Sequence, residues 1–223
     1  MSTESWELKT GARAFHGSVI IGAGPMPFSL AILVLVLVQT WVLQPVAGEK
    51  WVPAVAGVVV ALGIVHARKS GDWGWSVRAL LPGLVLTTAY TVACIVALVL
   101  VSRAMGQGEG VEVDIHSLGW LFAWAGAQQW LLQTTFLRET LRIASGRGWI
   151  LAPLCFGLLH LPNPFLTIAT TLAALGWCAI YRRHPNIVPL AVSHAIGTQV
   201  ILALFDEATT GRLRVGVSYL GLP

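Results

Sequence analysis

The amino-acid sequence predicts an all-α fold, a polytopic membrane helical bundle of about seven transmembrane helices. Of its 223 residues, 56% are hydrophobic and only 11% are charged. A soluble domain carries about 25% charged residues, so this chain lacks the polar surface to be one. Long apolar runs recur along it, and a helix needs roughly 20 such residues to cross a bilayer. The cations then divide unevenly between the two sides that those runs define.

Taken in order, the chain opens on a polar lead. Glu4 and Glu7 dilute the basic region that a secretory signal peptide uses, so a removable leader is a poor reading. Val46-Ala47-Gly48 resembles a cleavage site only loosely. Gly22-Ala23-Gly24-Pro25 breaks the chain before the first span, because proline cannot continue a helix from its interior. The Gly22/Gly24 pair is no dinucleotide loop: no strand precedes it and the glycine pattern is incomplete. Apolar runs then cover 28–43, 52–65, 79–101, 118–137, 150–161, 166–181 and 187–205. Those starting at Val52 and Ile150 are the shortest. The glycine-rich, acidic stretch 105–116 separates an N-terminal helical part, 1–103, from a working core, 117–205, within one membrane domain, 1–223.

With seven spans, one side receives Lys9, Arg13, Arg68, Lys69, Arg78, Arg138, Arg142, Arg147, Arg182 and Arg183. The other receives Lys50, Arg103, Arg212 and Arg214, with Glu109, Glu112 and Asp114. Basic residues concentrate on the cytoplasmic side of membrane proteins, so the N-terminus is expected inside and the C-terminus outside. The expected location is the cytoplasmic membrane of a bacterium. The net charge of +4 is thus a topology signal, not a nucleic-acid footprint. Cys94, Cys155 and Cys178 lie within predicted spans without paired spacing, so no disulfide framework or zinc motif follows. Trp51, Trp73, Trp75 and Trp149 fall near span ends, as an interfacial belt requires.

The second half carries polar side chains inside apolar runs: Gln128, Gln129, Gln133, His160, His194 and Thr198. Such groups are expensive in hydrocarbon and are functional candidates by default. Residues four apart share a helix face, which pairs Gln129 with Gln133, Phe156 with His160, and His194 with Thr198. Gln128 is turned about 100° from Gln129, so one helix can offer amides to two neighbours. Gln128, His160 and His194 each lie about ten residues from a cytoplasmic span end, roughly 15 Å deep at 1.5 Å per residue. Three helices deliver polar groups to one plane.

These residues resemble the CPBP (Abi) intramembrane proteases, which include the type-II CAAX prenyl endopeptidases. The family's motifs are Glu-Glu-x-x-x-Arg, Phe-x-x-x-His, and His-x-x-x-Asn or Asp. Phe156-Gly157-Leu158-Leu159-His160 matches the second, and Leu161-Pro162-Asn163-Pro164 is a common family continuation. Leu175-Gly176 through Tyr181-Arg182-Arg183 to His194 is similar to the approach to the third. The first motif is degenerate, Gln128-Gln129-Trp130-Leu131-Leu132-Gln133, and Thr198 stands at the end of the third. The resemblance implies Gln128 and His160 at a water site, and His194 with Thr198 at an oxyanion site. Its implied partners are a membrane-anchored or prenylated protein or peptide and the lipid bilayer.

An amide cannot take a proton from water as a carboxylate can. Losing both acids and the arginine together leaves no unpaired buried charge. Two functions follow: an intramembrane endopeptidase, or a non-catalytic pseudoprotease that binds or sorts membrane-anchored peptides. The bland readings are packed core histidines, and glutamines acting as interhelical glue. Glu139, the nearest acid, reaches the site only if its span is shifted or kinked. His16, His66, His116 and His184 fall near span ends and are expected at the interface. A thiol nucleophile at Cys155 has no group to lower its pKa, and a transporter would need a repeat pair of broken helices. No cofactor is expected, and no metal, since zinc requires three or more ligands together.

Overall fold

The computed structural model describes residues 27–108 and 118–221. The polar lead and the acidic residues Glu109, Glu112 and Asp114 lie outside them, as do His16 and His116. Among the described residues the fold is all-helical. Helix α1 (Phe28–Val38) continues through a π-helical segment, Gln39–Leu43, into α2 (Gln44–Ala47). Gly48, at φ 62°, turns the chain, and α3 (Val52–Ser70) returns along α1. Glycine suits that turn because a side chain disfavours positive φ. Helix α4 (Val77–Ala104) follows, then α5 (Leu118–Leu131), a second π segment (Leu132–Leu137) and α6 (Arg138–Ala144). The chain closes with α7 (Gly148–Leu158), α8 (Pro164–Arg183), α9 (Ile187–Leu204) and the short α10 (Glu207–Thr210).

Among the described residues, four helical stretches are long and apolar enough to cross a membrane: Phe28–Ser70, Val77–Ala104, Pro164–Arg183 and Ile187–Leu204. The first holds 43 residues and is folded in two at Gly48. The protein is an integral membrane protein. Length and apolarity alone do not give the expected count of seven spans: Phe28–Ser70 holds two of the expected runs, the helical stretch over 118–137 carries Gln128, Gln129 and Gln133, and α7 has 11 residues.

Helix α9 packs between α4 and α5, and α7 lies against α8. Ile32, Leu132, Phe136, Phe156, Trp177 and Leu190 fill the shared core. Gly157 makes the second contact possible. A Cβ there would collide with the Thr171 hydroxyl and approach the Thr167 carbonyl at 3.1 Å. Buried asparagines start the two helices that flank the site. Asn163 accepts from Leu166 N at 3.0 Å to cap α8, and Asn186 accepts from Val188 N at 3.0 Å to cap α9. Each such cap is worth about 1 kcal/mol.

One basic end is locked by Asp72. Its carboxylate accepts from Arg138 at 3.0 Å and from the Tyr181 hydroxyl at 3.1 Å, joining the α3–α4 turn to α6 and α8. Beside it, Glu139 is buried and accepts from Phe28 N at 3.0 Å and from Ser29 N at 2.8 Å. The Ser29 hydroxyl donates to it as well. A carboxylate is stabilising there because the first amides of a helix have no internal partner and carry partial positive charge. His66 is not at an exposed interface. It is buried, with Nε2 3.5 Å from Glu139 and its ring 5.4 Å from Phe28.

Candidate active site

Phe156 and His160 remain neighbours, but His160 is not inside a helix. Helix α7 stops at Leu158, and His160 occupies the turn that follows, its N–H donating to Gly157 O at 2.9 Å. Pro162 and Pro164 account for this early stop, since each removes a backbone donor and restricts the residue before it. The turn is braced from outside. Gly216 N donates to Leu161 O at 2.8 Å, and Asn163 Nδ2 donates to the carbonyls of Thr210 and Arg214.

The two histidines meet around one ring. The Phe156 centroid lies 5.1 Å from the His160 imidazole and 6.1 Å from that of His194, edge-on in both cases. His160 Nδ1 sits 2.8 Å from Phe156 O. A carbonyl can only accept, so in the neutral ring Nδ1 carries the proton and Nε2 keeps a lone pair. Thr170 supports that assignment. Its hydroxyl donates to Leu166 O, which leaves its oxygen to face His160 Nδ1 at 3.3 Å.

His194 takes the opposite tautomer. Gln133 Nε2 donates to Gln129 Oε1 at 3.0 Å, which turns the Gln129 amide nitrogen toward His194 Nδ1 at 3.4 Å. That ring nitrogen therefore accepts, and Nε2 carries the proton. Gln129 and Gln133 are 0% and 1% exposed, so both amides depend on protein partners. The Trp177 ring lies 4.7 Å from that of His194, tilted by 35°, and its indole N–H donates to Ser193 Oγ at 3.0 Å. The Ser193 hydroxyl in turn donates to Thr91 Oγ1 at 2.7 Å, since the one Thr91 proton goes to Thr87 O, also at 2.7 Å. Helices α4, α8 and α9 thus share one hydroxyl beside the ring.

The remaining candidates divide. Gln128 is half-buried one residue round α5 and engages neither histidine. Thr198 donates to His194 O at 3.0 Å, committing its hydroxyl to its own helix. Glu139 is held by α1. Among the described residues no three His, Cys, Asp or Glu side chains gather as a metal site. Thr91, Thr170, Trp177 and Ser193 escaped sequence reasoning, because a polar or aromatic residue in an apolar helix does not reveal which neighbour it meets. Gln39 also escaped it. It is buried in the first π segment, and neither atom of its amide has a hydrogen-bond partner among the described residues.

Residues 118–198 match a family model, the type II CAAX prenyl endopeptidase Rce1-like. The Rce1-like segment runs from the start of α5 to Thr198 and contains every histidine and glutamine of the site. No curated protein and no solved structure matches the chain. The match is a likeness of this segment and not of the whole chain.

Proposed function

We propose that this protein is a slow intramembrane endopeptidase of CAAX type, cutting near the end of a membrane-anchored or prenylated protein. The observation that carries this reading is the contrasting Nδ1 partners of two histidines around Phe156, a carbonyl at His160 and an amide nitrogen at His194, from which opposite tautomers follow. His160 Nε2 is a base, and His194 Nε2–H is a donor. In this reading a water oxygen bonds to the scissile carbonyl carbon while His160 Nε2 takes its proton. The oxyanion accepts from His194 Nε2–H, as preorganised donors do for acyl transfer. When the C–N bond breaks, the proton on His160 passes to the leaving amine. Gln128 is assigned to hold the water by hydrogen bonding, and Gln129 with Gln133 to orient His194. The resemblance implied Thr198 at the oxyanion, but its bond to His194 O favours a role in steadying that turn.

A positioned general base is worth about 10²–10⁴ in rate. With an amide at Gln128, His160 carries that task alone, so turnover is slow. A second reading, a pseudoprotease that binds such peptides without cutting them, is favoured by one observation. The acid nearest in sequence, Glu139, is committed to the start of α1.

The test is cleavage of a prenylated peptide by wild type, His160→Ala and the triple variant Gln128→Glu, Gln129→Glu, Gln133→Arg. Slow cleavage that His160→Ala abolishes and the triple variant accelerates is expected. Tight binding without cleavage by wild type selects the second reading. Brisk cleavage that His160→Ala leaves untouched removes both.

A further inference from the structure

Arg182 and Arg183 do nothing in the chemistry above, yet they line a cleft of about 260 Å³ with Trp149 and Ala179. The cleft opens where the start of α7 meets the last turn of α8. Both guanidinium groups are exposed, and among the described residues neither has a carboxylate partner. Arg182 instead lies 6.0 Å from the Trp149 ring centroid, a contact that occupies none of its N–H donors. Arg142 and Arg147 precede α7 and likewise have no carboxylate partner among the described residues. Cations in the last turn of a helix are favoured by its dipole. That explains why arginines end α8, but not why two of them share a walled cleft with an indole.

We propose that this cleft binds the phosphate of an acidic phospholipid headgroup. Three features fit that ligand. Guanidinium forks match phosphate oxygens in pairs of hydrogen bonds. A tryptophan at the end of an apolar helix sits at headgroup level, with one side in hydrocarbon. Basic pockets between membrane helices take anionic headgroups, because the leaflet supplies the ligand at high local concentration. Arg138, bound to Asp72, and Tyr181, bound to the same carboxylate, hold α6 and α8 at this end, so the walls stand before the lipid arrives. An occupied cleft ties α7, which leads to His160, to α8.

The experiment uses the full chain in nanodiscs of phosphatidylcholine, with or without phosphatidylglycerol, and reads lipid retained after mild delipidation by native mass spectrometry. Phosphatidylglycerol should be retained over phosphatidylcholine. Arg182→Gln with Arg183→Gln should weaken that retention about tenfold or more. Arg68→Gln with Arg78→Gln removes the same charge from helix ends elsewhere and should change it by no more than about twofold. Inorganic phosphate, added to detergent-solubilised protein, separates the sources. Displacement of the lipid by phosphate supports the shared anion site, whereas phosphate binding without any lipid preference overturns the headgroup. Equal losses in both double variants mean unspecific surface charge and also overturn it. If the glutamine pair does not fold, Arg182→Lys with Arg183→Lys keeps the charge but loses the forks. Partial loss is then expected, and unchanged retention sinks the proposal.

Discussion

Gln129 donates its amide to His194 Nδ1 across 3.4 Å, so an amide rather than an acid determines which nitrogen of that ring carries the proton. The donor is itself oriented by Gln133, and both glutamines are sealed from solvent and lipid. A glutamate at 129 could only accept, which would push the His194 proton to Nδ1 and leave Nε2 without a donor in the neutral ring.

Gln129→Glu alone is therefore expected to destabilise the protein by about 3 kcal/mol or more, the order of cost for an uncompensated buried charge. Gln129→Glu with Gln133→Arg supplies the missing cation and should recover most of it. Thermal unfolding in one detergent, wild type against both variants, decides this. A single variant as stable as wild type would show that the 129 side chain is not confined as described.

Ser193→Ala removes the hydroxyl that accepts from Trp177 and donates to Thr91. Leaving the buried Trp177 N–H unpaired costs about 1–3 kcal/mol. Because Trp177 packs against His194, we also expect slower peptide cleavage with little change in peptide binding. A variant that melts early but retains wild-type kcat would separate that hydroxyl from the site.

Glu139→Gln should lower thermal stability by about 1–3 kcal/mol, since one acceptor oxygen facing the first amides of α1 becomes a donor. Ser29→Ala should cost less, because the carboxylate keeps its two backbone partners. Peptide cleavage should survive both changes. If Glu139→Gln abolishes cleavage in folded protein, Glu139 serves the chemistry and its capping role is secondary.

Seven crossings with the N-terminus inside place Lys50 and Arg103 on one side of the membrane and Arg147 on the other. Cysteines substituted at these three exposed positions, in a background lacking the native three, should label accordingly with a membrane-impermeant reagent. Arg147→Cys labelling from the same side as Arg103→Cys would require a different number of crossings between them.

Much of the architecture was open to reading from composition and pattern. Apolar runs located the helical rods, and the Phe156/His160 and His194/Thr198 spacings marked the helices that carry the site. Helix ends were less legible. The run 150–161 continued through His160 on hydropathy, whereas the prolines at 162 and 164 and the capping Asn163 set the true turn. His66 read as interfacial from its place near a span end, but its burial depends on Glu139, 73 positions away in the chain.

The amino-acid sequence by itself determined that this chain lives in a bilayer and that amides and histidines gather in its second half. Those properties follow from local composition and from i to i+4 spacing, which any helix expresses alone. Tertiary structure decided that Gln129 rather than Gln128 meets His194, that Thr198 turns back on its own helix, and that Glu139 caps α1. Each choice rests on how one helix is rotated against another. A single residue turns a helix face by about 100°, and the π segment at Leu132–Leu137 adds its own offset between α5 and α6. Only packing across α5, α8 and α9 fixes that rotation, and with it the tautomer on which the proposed chemistry depends.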